Sequence, residues 1–434
     1  MKKYTQLTRL TLIAAVSALI LAACAAPAPA APAATTAPAA AVATEAPKAT
    51  EAPAAVEPTK AMEATKAPEP TAAMAMTETM VMTATAAAMP AMSAEMTALV
   101  DAAKKEGELN VIALPRDWCN YGELIDTFKT TYGIKVNEIN PDAGSAEELE
   151  ALKANKDNKG PQAPDVLDVG PSFGVQAVDE KLVVAYKVST WDTIPENLKD
   201  KDGFRTPNYY GVMAMMVNAD AVKTVPQDIT DLLQPEYKGM VSINDPRIGN
   251  SQAQAVLNAA LASGGKPGDT AKGLEFFAKL NEAGNFVPSW NKQTFGKGET
   301  PIVFDWDYNA LAARDAAKGN PKIEVVIPKS AQLGGHYVSQ ISAYAPHPNA
   351  AKLWMEHVFS DAGQIMFVKG YCHPIRYNDL VARKMIPAEL AAKLPSDELY
   401  AKAVFPTLDE LNAHKKLLGA DWDKVTKIEF RKLQ

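Results

Sequence analysis

Apolar residues recur at helical spacing from about residue 96 onward, and short runs of consecutive apolar residues separate these stretches. Leu99, Val100 and Ala103 form one helix face that ends at Gly107, and a buried-strand pattern follows at once. The first block contains predicted helices at 97–106, 121–132 and 146–155 and predicted strands at 109–114, 134–139 and 165–169. Strands that alternate with helices in this way predict a parallel sheet with helices on its faces.

The same alternation returns in a second block. Its predicted elements are strands at 239–243, 302–304 and 323–327 and helices at 251–262, 274–283, 310–318 and 349–359. Two longer β-type runs, 210–218 and 337–345, are long enough to cross between the blocks. The chain is also too long for one small core. We therefore predict an α/β protein of two lobes.

The two crossing runs set the predicted lobe boundaries. Lobe 1 is predicted to comprise 96–212 and to resume at 341–434, where the chain returns and ends in C-terminal helices. Lobe 2 is predicted to comprise 213–340. The lobes are expected to hinge near residues 213–218 and 338–344.

The N-terminus predicts export. Lys2, Lys3 and Arg9 precede an uncharged, mostly apolar run at 10–21, and small residues lead to Cys24. A run of roughly a dozen residues is too short for the ~20 that a membrane-spanning helix needs. This pattern is typical of a cleaved signal peptide, here 1–23. Leu-Ala-Ala-Cys at 21–24 resembles the bacterial lipobox, which implies lipidation of Cys24; the alternative is ordinary cleavage beside an incidental cysteine.

Residues 24–95 are mainly Ala, Pro, Thr, Met and Glu, and positions 25–93 hold no Leu, Ile, Phe, Trp or Tyr. Such a segment cannot bury enough apolar surface to offset chain entropy, so we predict a disordered tether. Its methionines could in principle bind Cu(I), but the low-complexity composition favours a linker, and no metal site is predicted. The expected location is the cell surface or periplasm, and the sequence leaves open which membrane holds the anchor.

Charge and motifs exclude other classes of protein. The net charge of −7 disfavours nucleic-acid binding, which needs a basic face. The sequence has no Gly-x-Ser-x-Gly elbow, no His-Glu-x-x-His and no phosphate loop, so we predict neither an enzyme nor a cofactor. Cys119 and Cys372 would meet an oxidising compartment, where they either form a disulfide or remain two separate buried thiols.

In open α/β sheets, ligands bind at loops that follow the carboxyl ends of strands. The candidate ligand-binding residues in and near these loops are Trp118, Asn120, Tyr121, Ser172, Phe173, Tyr209, Asp245, Arg247, Ser251, Asp305, Trp306, Asp307, Tyr308 and Arg376. The stretch 305–308 combines two carboxylates with two aromatic rings, a combination that suits an ammonium ligand. Alternatively, the aspartates mark a helix N-terminus.

Other candidates suit other ligands. Arg247 and Arg376 could bind a carboxylate or phosphate, and Ser251 at a helix start could contribute to binding the anion. Alternatively, the two arginines are surface or packing residues. Tyr209 and Tyr210 could bind ferric iron with His373 or Asp245, or they could pack at the hinge.

Three segments together resemble one known family. Residues 101–107 (Asp-Ala-Ala-Lys-Lys-Glu-Gly), 345–355 (Ala-Pro-His-Pro-Asn-Ala-Ala-Lys-Leu-Trp-Met) and 360–364 (Ser-Asp-Ala-Gly-Gln) resemble the family 1 extracellular solute-binding proteins of ABC importers. The resemblance implies a type II periplasmic-binding-protein fold with two hinge strands. It also implies a monomer that captures a small solute between its lobes and delivers it to an ABC permease and ATPase.

The branch of the family stays open. Residues 323–328, Trp306 and residues 370–376 resemble the polyamine-binding branch, whereas 104–107 resemble the ferric-iron branch. The chain lacks a full set of acidic residues for both ends of a diamine, and Tyr209 and Tyr210 lie at the first crossing rather than deep in lobe 2. A polyamine or similar organic cation is favoured, and ferric iron, a phosphonate or a sugar phosphate are the alternatives. A surface sensor and a solute-converting enzyme are further hypotheses.

Overall fold

The computed structural model describes residues 92–430, all of which lie in one unit, Ala87–Gln434. The predicted signal peptide, the predicted lipidation site at Cys24 and the tether as far as residue 91 lie outside the described residues. The first described helix begins at Ala94, so the predicted end of the tether at residue 95 is two residues too late. Between residues 92 and 430, no helix is both long and apolar enough to cross a membrane.

Strands and helices alternate along the described chain. The strands are β1 (Glu108–Ile112), β2 (Lys135–Ile139), β3 (Val166–Val169), β4 (Val183–Val184), β5 (Thr206–Asn218), β6 (Val241–Ser242), β7 (Ile302–Trp306), β8 (Ile323–Val326), β9 (Gly334–Ser342) and β10 (His373–Pro374). The helices are α1 (Ala94–Glu106), α2 (Tyr121–Tyr132), α3 (Ser145–Ala154), α4 (Pro171–Asp179), α5 (Asn250–Ala262), α6 (Thr270–Glu282), α7 (Lys292–Gly296), α8 (Asp307–Ala317), α9 (Pro348–Phe359), α10 (Asp361–Lys369), α11 (Tyr377–Ala382), α12 (Ala388–Ala391), α13 (Asp397–Lys402) and α14 (Leu408–Thr426).

The first sheet has strand order β2-β1-β3-β9-β5, in which β2, β1 and β3 are parallel and β9 runs antiparallel to its neighbours. All four residues of β3 are buried, as expected for a strand covered on both faces. Gly107 and Gly133 end α1 and α2 with φ of 77° and 69°, a left-handed conformation that glycine adopts at little cost. These contacts confirm the predicted α/β layering.

Strand β5 belongs to both sheets. It pairs with β9 through Val212 and with β7 from Met213 onward, so the chain passes from lobe 1 to lobe 2 within one continuous strand. In the second sheet, β7 also pairs with β6, and β8 pairs with the last residues of β5. The transition falls where the sequence places the start of lobe 2.

The second crossing lies earlier than predicted. Strand β9 pairs with β3, β4 and the first half of β5, so residues 334–342 already belong to the first sheet. The predicted end of lobe 2 at 340 therefore lies inside a strand of the first sheet, and the predicted hinge at 338–344 stays a prediction. A β-type run in sequence does not reveal which sheet it joins, because pairing partners come from distant parts of the chain.

The C-terminal helix α14 packs on lobe 2 rather than only returning to lobe 1. The His414 ring forms 2.9 Å hydrogen bonds with the Thr270 hydroxyl and the Ala253 carbonyl, and the Trp422 ring lies 5.6 Å from that of Phe277. The last of the predicted C-terminal helices thus contacts lobe 2.

Candidate functional site

Five aromatic side chains from both lobes pack against one another where the lobes meet. Trp118 follows β1, Tyr209 lies on β5, Trp306 and Tyr308 lie where β7 meets α8, and Tyr337 lies on β9. The Trp118 ring is 5.7 Å from that of Tyr308 and 5.6 Å from that of Tyr337. Tyr337 stacks on Tyr209 at 5.6 Å, and Trp306 stacks on Tyr308 at 6.0 Å. We call these five residues the aromatic wall.

A buried carboxylate holds one side of the aromatic wall. Asp168, at the end of β3, accepts 2.8 Å hydrogen bonds from the Tyr121 hydroxyl, the Tyr209 hydroxyl and the Asn208 amide. The Trp118 indole in turn donates to the Tyr209 hydroxyl at 2.7 Å. Burial raises the pKa of Asp168 to about 6, against the effect of its three donors. Asp168 therefore positions the ring of Tyr209, and through it that of Trp118.

Asp305 presents a carboxylate oxygen beside the aromatic wall. Its two hydrogen bonds, from the Trp306 amide at 2.7 Å and from Asn309 at 3.0 Å, both use Oδ1. No hydrogen bond from the described residues reaches Oδ2. Burial raises the pKa of Asp305 to about 6; nearby Lys292 lowers it and nearby Asp117 raises it. Oδ2 is thus available to a ligand.

Unlike Asp305, Asp307 has no carboxylate oxygen without a hydrogen bond. Its Oδ1 accepts a 2.9 Å hydrogen bond from the Val212 amide, and its Oδ2 accepts one from the Tyr400 hydroxyl. Burial raises its pKa to about 7. Because both oxygens are occupied and Asp307 is the first residue of α8, its role is structural, contrary to its prediction as a ligand residue.

Neither candidate arginine is free to bind an anion. The Arg247 guanidinium donates to both oxygens of Asp245, with a shortest contact of 2.7 Å, and to Asp423 of α14 at 2.8 Å. Asp245 is thereby also occupied. The predicted roles of Arg247 and Asp245 as ligand residues are not supported by these contacts.

Arg376 is a packing residue of lobe 1. Only 2% of its surface is exposed. Its guanidinium donates at 2.6–2.7 Å to the Thr193 hydroxyl, the Phe359 carbonyl and the carboxylates of Asp361 and Asp379. Four of its five guanidinium N–H groups are thus bonded within lobe 1, which supports a packing role rather than the predicted ligand role.

Tyr209 and Tyr210 point to opposite faces of β5, as successive strand residues do. Tyr209 donates to Asp168, whereas the Tyr210 ring lies 5.2 Å from His373. The two hydroxyls therefore cannot bind the same ion. The described residues also contain no group of three or more His, Cys, Asp or Glu side chains arranged to hold a metal ion.

Two further predicted residues face lobe 1. The Asn120 amide donates to Glu123 at 2.6 Å and to the Met366 carbonyl at 3.2 Å. Phe173 is buried among apolar residues of lobe 1 such as Leu149 and Val169, and Nζ of Lys415 on α14 lies 3.6 Å from its ring centroid. Tyr121 supports Asp168, as described above. These residues support the cleft without lining the aromatic wall.

The two lobes touch across the cleft. The Ala146 amide of lobe 1 donates to the Ile248 carbonyl of lobe 2 at 3.1 Å, and Asp117 pairs with Lys292. A β-carbon on Gly170 would lie 2.5 Å from Cγ of Asn250, so only glycine fits there. The predicted residues Ser172 and Ser251 lie in the first turns of the two helices that meet at this contact, and both are buried.

A disulfide fixes the loop that carries Trp118. Cys119 pairs with Cys372, with 5.5 Å between their α-carbons and 253 residues between them in sequence. Trp118 is the neighbour of Cys119, so the crosslink ties a residue of the aromatic wall to the segment before β10.

Sequence reasoning missed several residues of the site. Asp168 interrupts an otherwise apolar strand, Val-Leu-Asp-Val, and a lone carboxylate in a buried strand was the available signal. Tyr337 begins the second predicted crossing run and Asn208 lies two residues before the first, and alternation alone does not identify the face that meets the cleft. Asn250 directly precedes Ser251, which the sequence placed at a helix start.

Strand β5 passes through both α/β lobes, and aromatic rings from both lobes pack where they meet in this protein. The sequence places it in a family: the chain belongs to the bacterial extracellular solute-binding proteins, whose family model matches residues 162–403, more than half of the chain. The resemblance found in the sequence is thereby confirmed. No curated protein sequence matches the chain.

Solved structures of periplasmic binding proteins share the fold. The chain is similar to the periplasmic binding protein P5PA, with 22% identity and a TM-score of 0.59, and to AfuA from Actinobacillus pleuropneumoniae with fructose-6-phosphate bound, with 21% and 0.58. It is also similar to the spermidine/putrescine-binding protein PotD from Streptococcus pneumoniae, with 15% and 0.50. Each comparison covers 74% of this chain and 99% of the other. These likenesses confirm the periplasmic-binding-protein fold.

Proposed function

We propose that this protein is the solute-binding subunit of an ABC importer and that it captures a small organic cation, with polyamine-like amines favoured, in the cleft between its lobes. The observation that carries this proposal is the available Oδ2 of Asp305 beside the aromatic wall. An ammonium group gains from a carboxylate and from the faces of aromatic rings, and both attractions grow where water is excluded. The protein performs no chemistry on its solute.

The charges around the aromatic wall support a cation. Arg247, Lys292 and Arg376 each pair with carboxylates. Burial raises the pKa values of Asp168 and Asp305, which means that their ionised forms are disfavoured at this place. A nearby positive charge would stabilise the ionised forms. A bound ammonium would relieve this cost.

The lobes are expected to open to admit the solute and to close upon it. The differential affinity of the solute for the closed arrangement drives closure, because a ligand can shift an equilibrium only by that difference. The closed protein then delivers the solute to the permease, and the ATPase subunit powers uptake.

The proposed anchor is a lipid on Cys24, joined to the binding unit by the tether. Roughly 70 residues of flexible chain would let the unit range over tens of ångströms from the membrane. We expect metabolic labelling with a radioactive fatty acid to mark the wild-type protein and not a Cys24→Ser variant. Equal labelling of both proteins would contradict an anchor at Cys24.

Asp305→Asn is expected to weaken binding of organic amines about 10- to 100-fold, because a charge-assisted contact contributes about 1.5–3 kcal/mol. Titration calorimetry with 1,4-diaminobutane, spermidine and other small amines measures this effect. Asp101→Asn serves as the control, since Asp101 is exposed on α1 and the variant makes the same change in charge. The proposal fails if no amine binds, or if both variants bind as the wild type does.

The same titrations should depend on pH. With a pKa of about 6, Asp305 is mostly neutral at pH 5 and mostly ionised at pH 7, so amine affinity should rise about tenfold between them. Asp168 and Asp307 also titrate near this range. The Asp305→Asn variant distinguishes Asp305 from these two carboxylates. Its amine affinity should hardly change between pH 5 and pH 7. If its affinity still rises with pH as that of the wild type does, another carboxylate causes the effect.

A further inference from the structure

We infer that the C-terminal helix α14 is a latch between the lobes: it moves with lobe 2 and holds lobe 1 through Lys415 only while the cleft is closed. Lys415 is then a positioning residue, which does not touch the solute and raises solute affinity by stabilising the closed arrangement. This inference goes beyond the proposed function, because it holds for a solute of any chemistry on which the cleft closes.

Helix α14 is fixed to lobe 2 at both of its ends. In its second turn, the buried His414 ring shares a 2.9 Å hydrogen bond with the Thr270 hydroxyl. Near its end, the Asn281 side-chain amide donates to the Thr426 carbonyl at 3.1 Å, and Trp422 is fully buried. Packed elements move together when lobes rotate, so α14 is expected to follow lobe 2.

The chain reaches α14 through a third crossing between the lobes, beside the second one. The Val404 amide donates to the Gln332 carbonyl at 2.8 Å, and the Gly334 amide donates to the Val404 carbonyl at 2.9 Å. Gln332 and Gly334 lie where the chain enters β9 on its way back to lobe 1. Because the connection to α14 runs beside this crossing, α14 can follow lobe 2 without pulling on lobe 1.

Lys415 is the residue with which α14 contacts lobe 1. Its Nζ lies 3.6 Å from the ring centroid of Phe173 and donates to Oε1 of Gln176, and both partners are on α4. Burial lowers the pKa of Lys415 to about 8, and nearby Glu180 opposes that effect. A cation over an aromatic ring gains most where water is excluded. The contact is therefore specific, and both of its partners belong to the lobe opposite the one that anchors α14.

Opening of the cleft should break this contact. His414 also bonds the Ala253 carbonyl at 2.9 Å, in the first turn of α5, whereas Lys415 contacts Phe173, in the first turn of α4. These first turns face each other across the cleft. Two successive residues of α14 therefore hold opposite sides of it. His414 is 1% exposed, so it keeps its partners when the lobes separate, and Lys415 loses its own.

A contact that exists only in the closed arrangement contributes to solute affinity. The apparent affinity of a ligand falls with the fraction of the protein that is competent to bind it. The latch raises that fraction before any solute arrives. Its contribution is the same for every solute, because Lys415 acts on the balance between open and closed protein and not on the solute.

Hydrogen–deuterium exchange of the full chain, freed of solute, tests the latch. The Ala146 amide, in the first turn of α3, has no acceptor within its helix and donates across the cleft to the Ile248 carbonyl at 3.1 Å. Its exchange therefore reports separation of the lobes. We expect Lys415→Met, which keeps an apolar stem and removes the charge, to accelerate this exchange about 5- to 30-fold. Exchange within the buried strand β3 should not change.

Two further variants give this test a control and a prediction of opposite sign. Lys416→Met makes the same change at the next residue, which is exposed, and should exchange as the wild type does. Gln176→Glu offers Lys415 a carboxylate in place of an amide oxygen and should slow exchange at Ala146. It should not slow that exchange in the Lys415→Met background. A damaged fold cannot produce slower exchange, so Gln176→Glu decides the question if Lys415→Met does not fold.

Solute binding supplies a second readout. Lys415→Met should weaken binding of 1,4-diaminobutane by a factor similar to its effect on exchange, mainly through faster dissociation. If the diamine binds neither protein, the proposed function fails, and exchange alone decides the latch. The latch is overturned if exchange at Ala146 is unchanged in Lys415→Met, or if exchange in β3 accelerates equally. It is also overturned if Gln176→Glu has the same effect with and without Lys415.

Discussion

Replacing Arg376 with glutamine is expected to lower the free energy of unfolding by about 3–5 kcal/mol while leaving the solute affinity of the folded protein unchanged. Arg376 is 2% exposed, and its guanidinium joins Thr193, Phe359 and two carboxylates of lobe 1. Removing it leaves the Thr190 hydroxyl as the remaining donor to the buried Phe359 carbonyl and takes one donor from each carboxylate. Urea denaturation of both proteins gives the difference.

Arg383→Gln is the matched control for this prediction. Arg383 bonds the same two carboxylates, Asp361 and Asp379, at 2.7–3.0 Å, but 41% of its side chain is exposed. Exposed ion pairs contribute about 0–1 kcal/mol, so this variant should change stability little. If Arg376→Gln instead keeps full stability and loses solute binding, Arg376 is a ligand residue and its structural role is wrong.

The double variant Cys119→Ser, Cys372→Ser is expected to lose about 2–5 kcal/mol of unfolding free energy. The crosslink spans 253 residues, so its loss frees a long loop in the unfolded chain. A smaller effect on solute affinity should accompany it, because Trp118 is the neighbour of Cys119 and its indole must stay within reach of the Tyr209 hydroxyl.

A reductant provides the control for the disulfide prediction. Dithiothreitol should lower the stability of the wild type toward that of the double variant and leave the variant itself unchanged. Both proteins keep Cys24, so any effect of that thiol is common to them. Mass spectrometry shows whether the treated wild type is fully reduced. If the fully reduced wild type is as stable as the untreated wild type, the prediction is contradicted.

Local patterns were sufficient for the elements whose contacts are local. Helix α2 begins and ends at the predicted residues, because its apolar spacing is regular and Gly133 stops it in a left-handed conformation. The loops after β1 and β7 were predictable as parts of one site, since carboxyl ends of strands share an edge of the sheet. Trp118 and Asp305 were found in this way.

Long-range contacts explain what the sequence could not predict. Asp168 meets Tyr121 and Tyr209, which lie 47 and 41 residues away, and no local pattern encodes such a convergence. Arg376 has one partner 183 residues away, Thr193, but its two carboxylate partners lie only 3 and 15 residues away, so local pairing could have been expected from the sequence. Strand β9 had a clear β pattern, but its sheet depended on pairing with β3, β4 and β5.

The central claim is that the cleft captures a small organic cation, and native mass spectrometry of protein purified from its own host tests it most directly. The account predicts a bound compound of low mass that contains an amine, is released on denaturation and is absent from the Asp305→Asn variant. A bound metal ion, or an oxyanion without an amine that Asp305→Asn retains, would contradict it.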